Sequence, residues 1–122
     1  MNFNNEKPIY LQMSERLMDE IAAGIYPDEE RIPSVREYAV SLGVNTNTAM
    51  KAYDELSRNN IIYNKRGLGY FVTQGANENI KSQRRRDFME HGIQQLIRQM
   101  KLIDMDVEEL TKLLKADTAD EK

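Results

Sequence analysis

The chain has 122 residues, 40% of them hydrophobic and 30% charged, so it can form one compact domain with an appendage but not two large domains. It has no cysteine, which excludes disulfides, zinc fingers and thiol catalysis, and no apolar run is long enough to span a membrane. The segment Met1–Lys7 lacks the apolar region of a signal peptide, so we expect a cytoplasmic protein.

The net charge of −3 is distributed unevenly along the chain. Residues 1–30 carry two basic and seven acidic side chains, a net charge of −5, and residues 76–122 carry nine basic and ten acidic ones, a net charge of −1. Residues 31–75 carry six basic and three acidic side chains, a net charge of +3. A basic segment on an acidic protein can still bind nucleic-acid phosphate, with an affinity that falls as salt rises.

One helix is predicted in the first thirty residues. Pro8 suits its first position, and apolar residues recur at helical spacing as far as Ile21. Gly24 suits the residue that follows a helix end, and Pro27 stops the helix just beyond it.

Two further helices are predicted, joined by a tight turn. Ser34 is a good N-cap for the second helix, and Glu37 three residues later completes a capping box. Gly43 suits the left-handed residue that ends this helix, and Asn45 can cap a third helix that runs to about Arg58.

The third helix has an apolar face that must pack into the domain and a polar face that is left for a partner. The polar face comprises Asn47, Lys51, Asp54 and Arg58. After this helix, two β-branched and aromatic runs, 61–63 and 70–73, bracket a basic tip that contains glycine, the pattern of a hairpin. Three helices and a hairpin predict a mainly α protein with a winged helix-turn-helix in residues 1–75.

Residues 76–122 are expected to form a two-helix dimerisation tail, after a hinge at Gln74–Asn79. One long helix is predicted from about Asn79 to Ile103, and Asp106 can cap a short final helix. These helices carry more apolar surface than they can bury against each other, so a second copy is expected to cover it. The residues expected at the dimer interface are Phe88, Ile93, Leu96, Met100, Ile103, Leu110 and Leu114. The alternative is a tail that folds back on its own winged domain.

A series of motifs runs through residues 8–73. In order, they are Pro8-Ile9-Tyr10 with Gln12, Gly24, Pro27, Ile32-Pro33-Ser34 with Arg36, Ala39, Leu42-Gly43-Val44, Asn45, Asn47-Thr48, Ala52-Tyr53, Leu56, Gly67, Gly69, Phe71 and Val72. With these motifs the chain resembles the GntR family of bacterial transcription regulators, and its short tail is similar to that of the YtrA-type subfamily. The resemblance implies a homodimer that represses transcription from an inverted-repeat operator. Thr46 lies where the family usually has Arg or Pro, so the base preference does not transfer.

The candidates for DNA contact lie at the start of the second helix, in the first turns of the third helix, and in the wing. They are Ser34, Arg36, Thr46, Asn47, Thr48, Lys51, Lys65, Arg66 and Gly69. Arg and Lys can bind phosphate, Asn can pair with adenine, and Thr can contact phosphate or a thymine methyl group. Glycine lets the backbone of the wing approach the minor groove closely.

These candidates also have purely structural explanations. Arg36 can form a surface salt bridge with Glu37 or Asp54, and one of residues 46–48 can merely cap the third helix. Helix capping alone accounts for Ser34, and the cations of the third helix and the wing can simply be solvated.

The expected partners are double-stranded DNA and a second copy of the chain, with no membrane and no built-in cofactor or metal. Catalysis is not expected, because His91 is the only histidine and the carboxylates show no paired arrangement. The alternative function is that of a winged-helix module that binds a protein instead of DNA. The sequence leaves open a small-molecule effector between the two protomers.

Overall fold

The computed structural model of the chain describes residue 3 and residues 6–119, which fall into two compact units, Met1–Ser82 and Gln83–Lys122. Over these residues the fold is mainly helical with one two-stranded antiparallel sheet, which confirms the predicted fold class. None of their helices combines the length and the apolar character needed to cross a membrane. The ends of the predicted domains, residues 1, 2, 4, 5 and 120–122, lie outside the described residues.

The first unit contains three helices, the hairpin and the beginning of a fourth helix. Its elements are α1 (Ile9–Ala22), α2 (Val35–Leu42), α3 (Thr46–Arg58), β1 (Ile62–Lys65), β2 (Gly69–Val72) and the start of α4 (Ala76–Asp87). The three complete helices pack around one apolar core, which the sheet and the start of α4 complete. Its buried members include Met13, Leu17, Ile21, Ile32, Ala39, Ala49, Ala52, Tyr53, Leu56, Ile62, Val72, Ala76 and Ile80.

Local sequence signals set the ends of α2 and α3 as predicted. The side chain of Ser34 and that of Glu37 form a reciprocal capping box at the start of α2. Gly43 follows α2 in the left-handed conformation, at φ 67°, which costs glycine little because it has no Cβ. The Oδ1 atom of Asn45 accepts the N–H of Asn47 at 2.7 Å and so begins α3.

The hairpin pairs Ile62 with Val72 at its base and Lys65 with Gly69 near its tip. The segment before α2 forms its outer edge: the N–H of Ile32 donates to the carbonyl of Tyr70 at 3.0 Å. Residues that precede α2 are therefore hydrogen-bonded to the wing.

The predicted hinge at 74–79 is wrong, because this segment is bonded to the first unit and α4 already begins at Ala76. The Nδ2 atom of Asn77 donates to the last carbonyls of α1, to Ile21 O at 2.8 Å and to Ala22 O at 3.2 Å. The carboxylate of Asp28 accepts the N–H of Gly75 at 2.7 Å. These partners come from distant parts of the chain, so local sequence signals did not reveal them.

The described residues of the second unit are helical except for the connection 103–106, and they depart from the single long helix that was predicted. A π-helical turn, Phe88–Gly92, follows α4 and precedes α5 (Ile93–Leu102). The ring of Phe88 lies over Gly92, where a Cβ atom would be 2.5 Å from its Cδ1 atom. The last helix, α6 (Val107–Ala119), begins as predicted at Asp106, whose Oδ1 atom accepts the N–H of Glu109 at 2.9 Å.

Replacing Asn77 with Ala is expected to lower the free energy of unfolding by about 1–2 kcal/mol, because the last carbonyls of α1 lose a half-buried donor. Urea unfolding followed by circular dichroism measures the change. Asn79→Ala is the matched control, since it makes the same change on the same helix, and the exposed Asn79 side chain has no partner among the residues described. Equal unfolding midpoints for both variants would show that the Asn77 contact contributes nothing.

Candidate nucleic-acid interface

The capping box at the start of α2 engages the polar groups of Ser34. Its Oγ atom accepts the N–H of Glu37 at 3.1 Å, and its own N–H donates to Oε1 of Glu37 at 2.9 Å. Hydrogen bonding to the carboxylate, first from the N–H of Ser34 and then from its side chain, holds the pKa of the Glu37 carboxyl below its usual value, and the positive charge of Arg31 lowers it further. Helix capping thus accounts for Ser34, and a phosphate contact by Ser34 stays a prediction.

Arg36 is exposed in the first turn of α2. Arg36 forms no ion pair with any of the described residues, so the alternative of a salt bridge from Arg36 to Glu37 or Asp54 is wrong. The guanidinium is therefore available to an anion outside the chain.

The first turns of α3 present polar side chains to solvent. Thr46 and Asn47 are exposed, Thr48 is half-buried, and Lys51 is exposed one turn later. Because the capping side chain is that of Asn45, the alternative that one of residues 46–48 caps the helix with its side chain is wrong.

The opposite face of α3 fixes this orientation. Ala49, Ala52, Tyr53 and Leu56 are buried, each with at most 1% of its surface exposed. Since these residues recur at helical spacing, Asn47 must point away from the core.

Lys65 and Arg66 are exposed at the tip of the wing. The Nζ atom of Lys65 lies 4.8 Å from the centroid of the Phe71 ring, a cation–π contact that holds it along the hairpin. The ring of Tyr63 stacks on the other strand's Phe71 at a centroid distance of 5.9 Å. This packing gives the wing a fixed charged edge despite its short strands.

Arg31 is an exposed cation at this surface that the sequence reasoning did not single out. Its backbone pairs with that of Phe71, and its guanidinium lies against Gly69. A Cβ atom at Gly69 would be 3.1 Å from Nε of Arg31, so glycine at this position makes room for the guanidinium. The only sequence signal that could have pointed to Arg31 is its place directly before the Ile32-Pro33-Ser34 motif.

A shallow cleft of about 300 Å³ lies beside α3, lined by Tyr10, Lys51, Asp54 and Arg58. Three of its four lining residues are charged, whereas small-molecule sites are lined mostly by apolar residues and are usually at least this large. Arg58 is also paired with Glu55 at 2.8 Å. The cleft is thus a poor effector site, and the residues that the structure describes include no group of three or more side chains that could hold a metal ion.

Three tyrosines hold α2, α3 and the wing together. The hydroxyl of Tyr53 donates to the carbonyl of Pro33 at 2.6 Å, and its ring meets that of Tyr70 edge-on at 5.0 Å. The hydroxyl of Tyr38 donates to Oε1 of Glu20 at 2.7 Å. Burial raises the pKa of the Tyr38 and Tyr53 hydroxyls, because the ionised form is poorly solvated there. The hydrogen bond to Glu20 raises the pKa of Tyr38 further.

Replacing Tyr53 with Phe is expected to destabilise the first unit by about 1–3 kcal/mol at pH 7, because the carbonyl of Pro33 loses its buried donor. Tyr63→Phe is the control, since the Tyr63 hydroxyl has no partner in the described part of the chain. Urea unfolding of the two variants measures the difference.

Comparing the wild type with Tyr53→Phe over a range of pH tests the raised pKa of Tyr53. The unfolded chain loses this proton near pH 10 and the folded chain does so only at higher pH, so stability falls as pH rises above about 10. Tyr53→Phe lacks this proton, and its stability is expected to approach that of the wild type as pH rises. A constant difference across this range would contradict the assignment.

Comparison with known proteins matches this chain to one family. The model described as "Bacterial regulatory proteins, gntR family" matches residues 9–72. The chain is 31% identical over 115 residues to the HTH-type transcriptional repressor YtrA of Bacillus subtilis, which covers 94% of this chain and 88% of YtrA.

Solved structures agree with the observed fold. A GntR-family transcriptional regulator from Bacteroides thetaiotaomicron is 40% identical and superposes with a TM-score of 0.73, covering 93% of this chain and 99% of that one. The DNA-binding domain of AraR in complex with an operator is 27% identical, with a TM-score of 0.55, covering 59% of this chain and 93% of that one. These relatives are named as regulators, in agreement with the expectation that the chain is not an enzyme.

Proposed function

The chain belongs to the GntR family of bacterial regulatory proteins, and from this we propose that it is a DNA-binding transcriptional repressor. Two copies bind an inverted-repeat operator and block the promoter. Residues 1–75 provide the DNA contacts, and the part of residues 76–122 that follows Ser82 provides the dimer contacts. The place of action is the cytoplasm, where bacterial promoters lie.

The exposed polar turn at the start of α3 is the observation that carries this proposal. Thr46 and Asn47 are exposed there, and the guanidinium of Arg36, which has no ion-pair partner among residues 6–119, is exposed at the start of α2. Amide and hydroxyl side chains in the first turn of a helix can contact base edges in the major groove. A guanidinium can then bind phosphate at the groove edge.

The wing extends this surface. Lys65 and Arg66 are exposed on a hairpin whose tip is tightened by the hydrogen bond from the N–H of Leu68 to the carbonyl of Lys65, 2.8 Å long. A narrow basic hairpin fits the minor groove next to the major groove that α3 enters. The residues proposed to contact DNA are thus Ser34, Arg36, Thr46, Asn47, Thr48, Lys51, Lys65, Arg66 and Gly69.

The apolar surface of the tail supports the proposed dimer. Among the apolar side chains of residues 83–119 only that of Met100 is buried, whereas Phe88, Ile103 and Leu114 are each more than half exposed. Ile93, Leu96 and Leu110 are half-buried. A second copy would remove these side chains from water, and every protein molecule brings the same surface, as a twofold interface requires.

DNA binding is tested with a duplex that the wild type selects from a random pool and with a scrambled duplex of the same length. Arg36→Ala is expected to weaken binding to both duplexes alike, because a phosphate contact carries no sequence information. Asn47→Ala is expected to weaken the selected duplex by about 1–3 kcal/mol and the scrambled one much less. Fluorescence anisotropy over a range of salt concentrations measures both effects.

Arg16→Ala is the control, because it removes the same charge from an exposed position on α1. If the Arg36 and Asn47 variants bind like the wild type, the proposed face is wrong. Failure of the wild type to select any duplex, together with salt-independent binding of a protein, would instead identify a protein-interaction module.

Leu114→Glu is expected to convert the dimer to monomers, because it places a charge in the proposed apolar interface. Sedimentation equilibrium measures the mass, and circular dichroism checks the helix content. Val40→Glu is the control, an equivalent change at an exposed apolar residue of α2. A wild type that is already monomeric, or a Leu114→Glu variant that stays dimeric, would contradict the proposed interface.

A further inference from the structure

Arg31 lies between the wing and the start of α2, the two places that bracket the proposed DNA surface. Its Nε and Nη2 atoms lie 3.1 and 3.6 Å from the position that a Cβ atom would take at Gly69 in the wing. On its other side, its charge contributes to the lowered pKa of Glu37, after the hydrogen bonds from Ser34. The guanidinium is thus near both elements at once.

The guanidinium has no counter-ion in the described part of the chain. The nearby carboxylate of Glu37 accepts the N–H of Ser34, and no described carboxylate forms an ion pair with Arg31. Arg31 and its chain neighbour Glu30 are both exposed, and the two side chains form no ion pair with each other. An exposed guanidinium that no carboxylate binds can form charge-assisted hydrogen bonds to an external anion.

The backbone around Arg31 is well fixed. Glu30 and Ile32 exchange hydrogen bonds with β2, from Val72 N to Glu30 O at 3.0 Å and from Ile32 N to Tyr70 O at 3.0 Å. Gly69 leaves space for the side chain of Arg31, which therefore packs against the hairpin. A guanidinium held in this way loses less conformational entropy on binding than a free one.

We propose that Arg31 binds the sugar–phosphate strand that separates the major groove entered by α3 from the minor groove entered by the wing. This inference rests on the proposed function. In a duplex, one strand runs between each major groove and the adjacent minor groove, so the protein surface between the two reading elements must face phosphates. The ligand group is a backbone phosphate, so the contact adds affinity and fixes register without reading a base.

The test compares Arg31→Gln with Arg31→Lys on the selected and the scrambled duplex. One phosphate contact contributes about 0.9 to the slope of log affinity against log salt concentration. Arg31→Gln is expected to reduce this slope by about one for each protomer bound and to weaken both duplexes by the same factor. Arg31→Lys keeps the charge and is expected to keep most of the slope, and Arg16→Gln is the matched charge control outside this surface.

A second comparison separates direct contact from support of the wing. If Arg31 acts only by holding the wing, Arg31→Gln changes the slope no further in a protein that already carries Lys65→Gln and Arg66→Gln. If it binds phosphate itself, the slope falls by the same amount in both backgrounds. A wild type that binds no duplex overturns the proposed function, whereas an unchanged slope for Arg31→Gln in a protein that binds DNA overturns this inference alone.

Discussion

The hydrogen bond from the hydroxyl of Tyr53 to the carbonyl of Pro33, 2.6 Å long, joins the middle of α3 to the residue that precedes the cap of α2. Tyr53 is fully buried, and Tyr70 of the wing packs edge-on against its ring. One side chain therefore holds two helices and the hairpin in a fixed relation. The exposed residues Arg36 and Asn47 depend on it for their spacing, because each lies in the first turn of a helix that this contact positions.

Small residues on the inner face of α3 let the helices approach each other closely. Ala49 and Ala52 are buried there, and the hydroxyl of Ser14 on α1 is 3.3 Å from the carbonyl oxygen of Ala52 while also donating to Tyr10 O at 2.9 Å. A buried hydroxyl that is satisfied by the backbone of its own helix costs little. The outer face of α3 does not take part in this packing, so its polar residues are available for the proposed DNA contacts.

The elements that the sequence predicted correctly have local causes. Ser34 and Glu37, three residues apart, define the start of α2 without help from the rest of the chain, and the apolar spacing on α3 shows which side chains face outward. What the sequence did not reveal depends on distant partners or on irregular geometry. Asn77 bonds to carbonyls 55 and 56 residues earlier, Arg31 fits against a glycine of the wing, and the π-helical turn breaks the 3.6-residue period on which the tail prediction relied.

The charge distribution bears on why two copies would be needed. The segment 31–75 has a net charge of +3, whereas the remainder of the chain is acidic and makes the total −3. A single protomer with few cations at the proposed DNA surface would make few phosphate contacts, and each contact would be weakened at physiological salt. Joining two such surfaces turns the second binding event into an intramolecular one, which raises affinity without any new contact and favours DNA with two properly spaced half-sites. The acidic remainder of the chain would be repelled by the duplex in other orientations. Two weak DNA-binding surfaces on an acidic protein would therefore favour DNA with two paired half-sites over tight binding to any DNA.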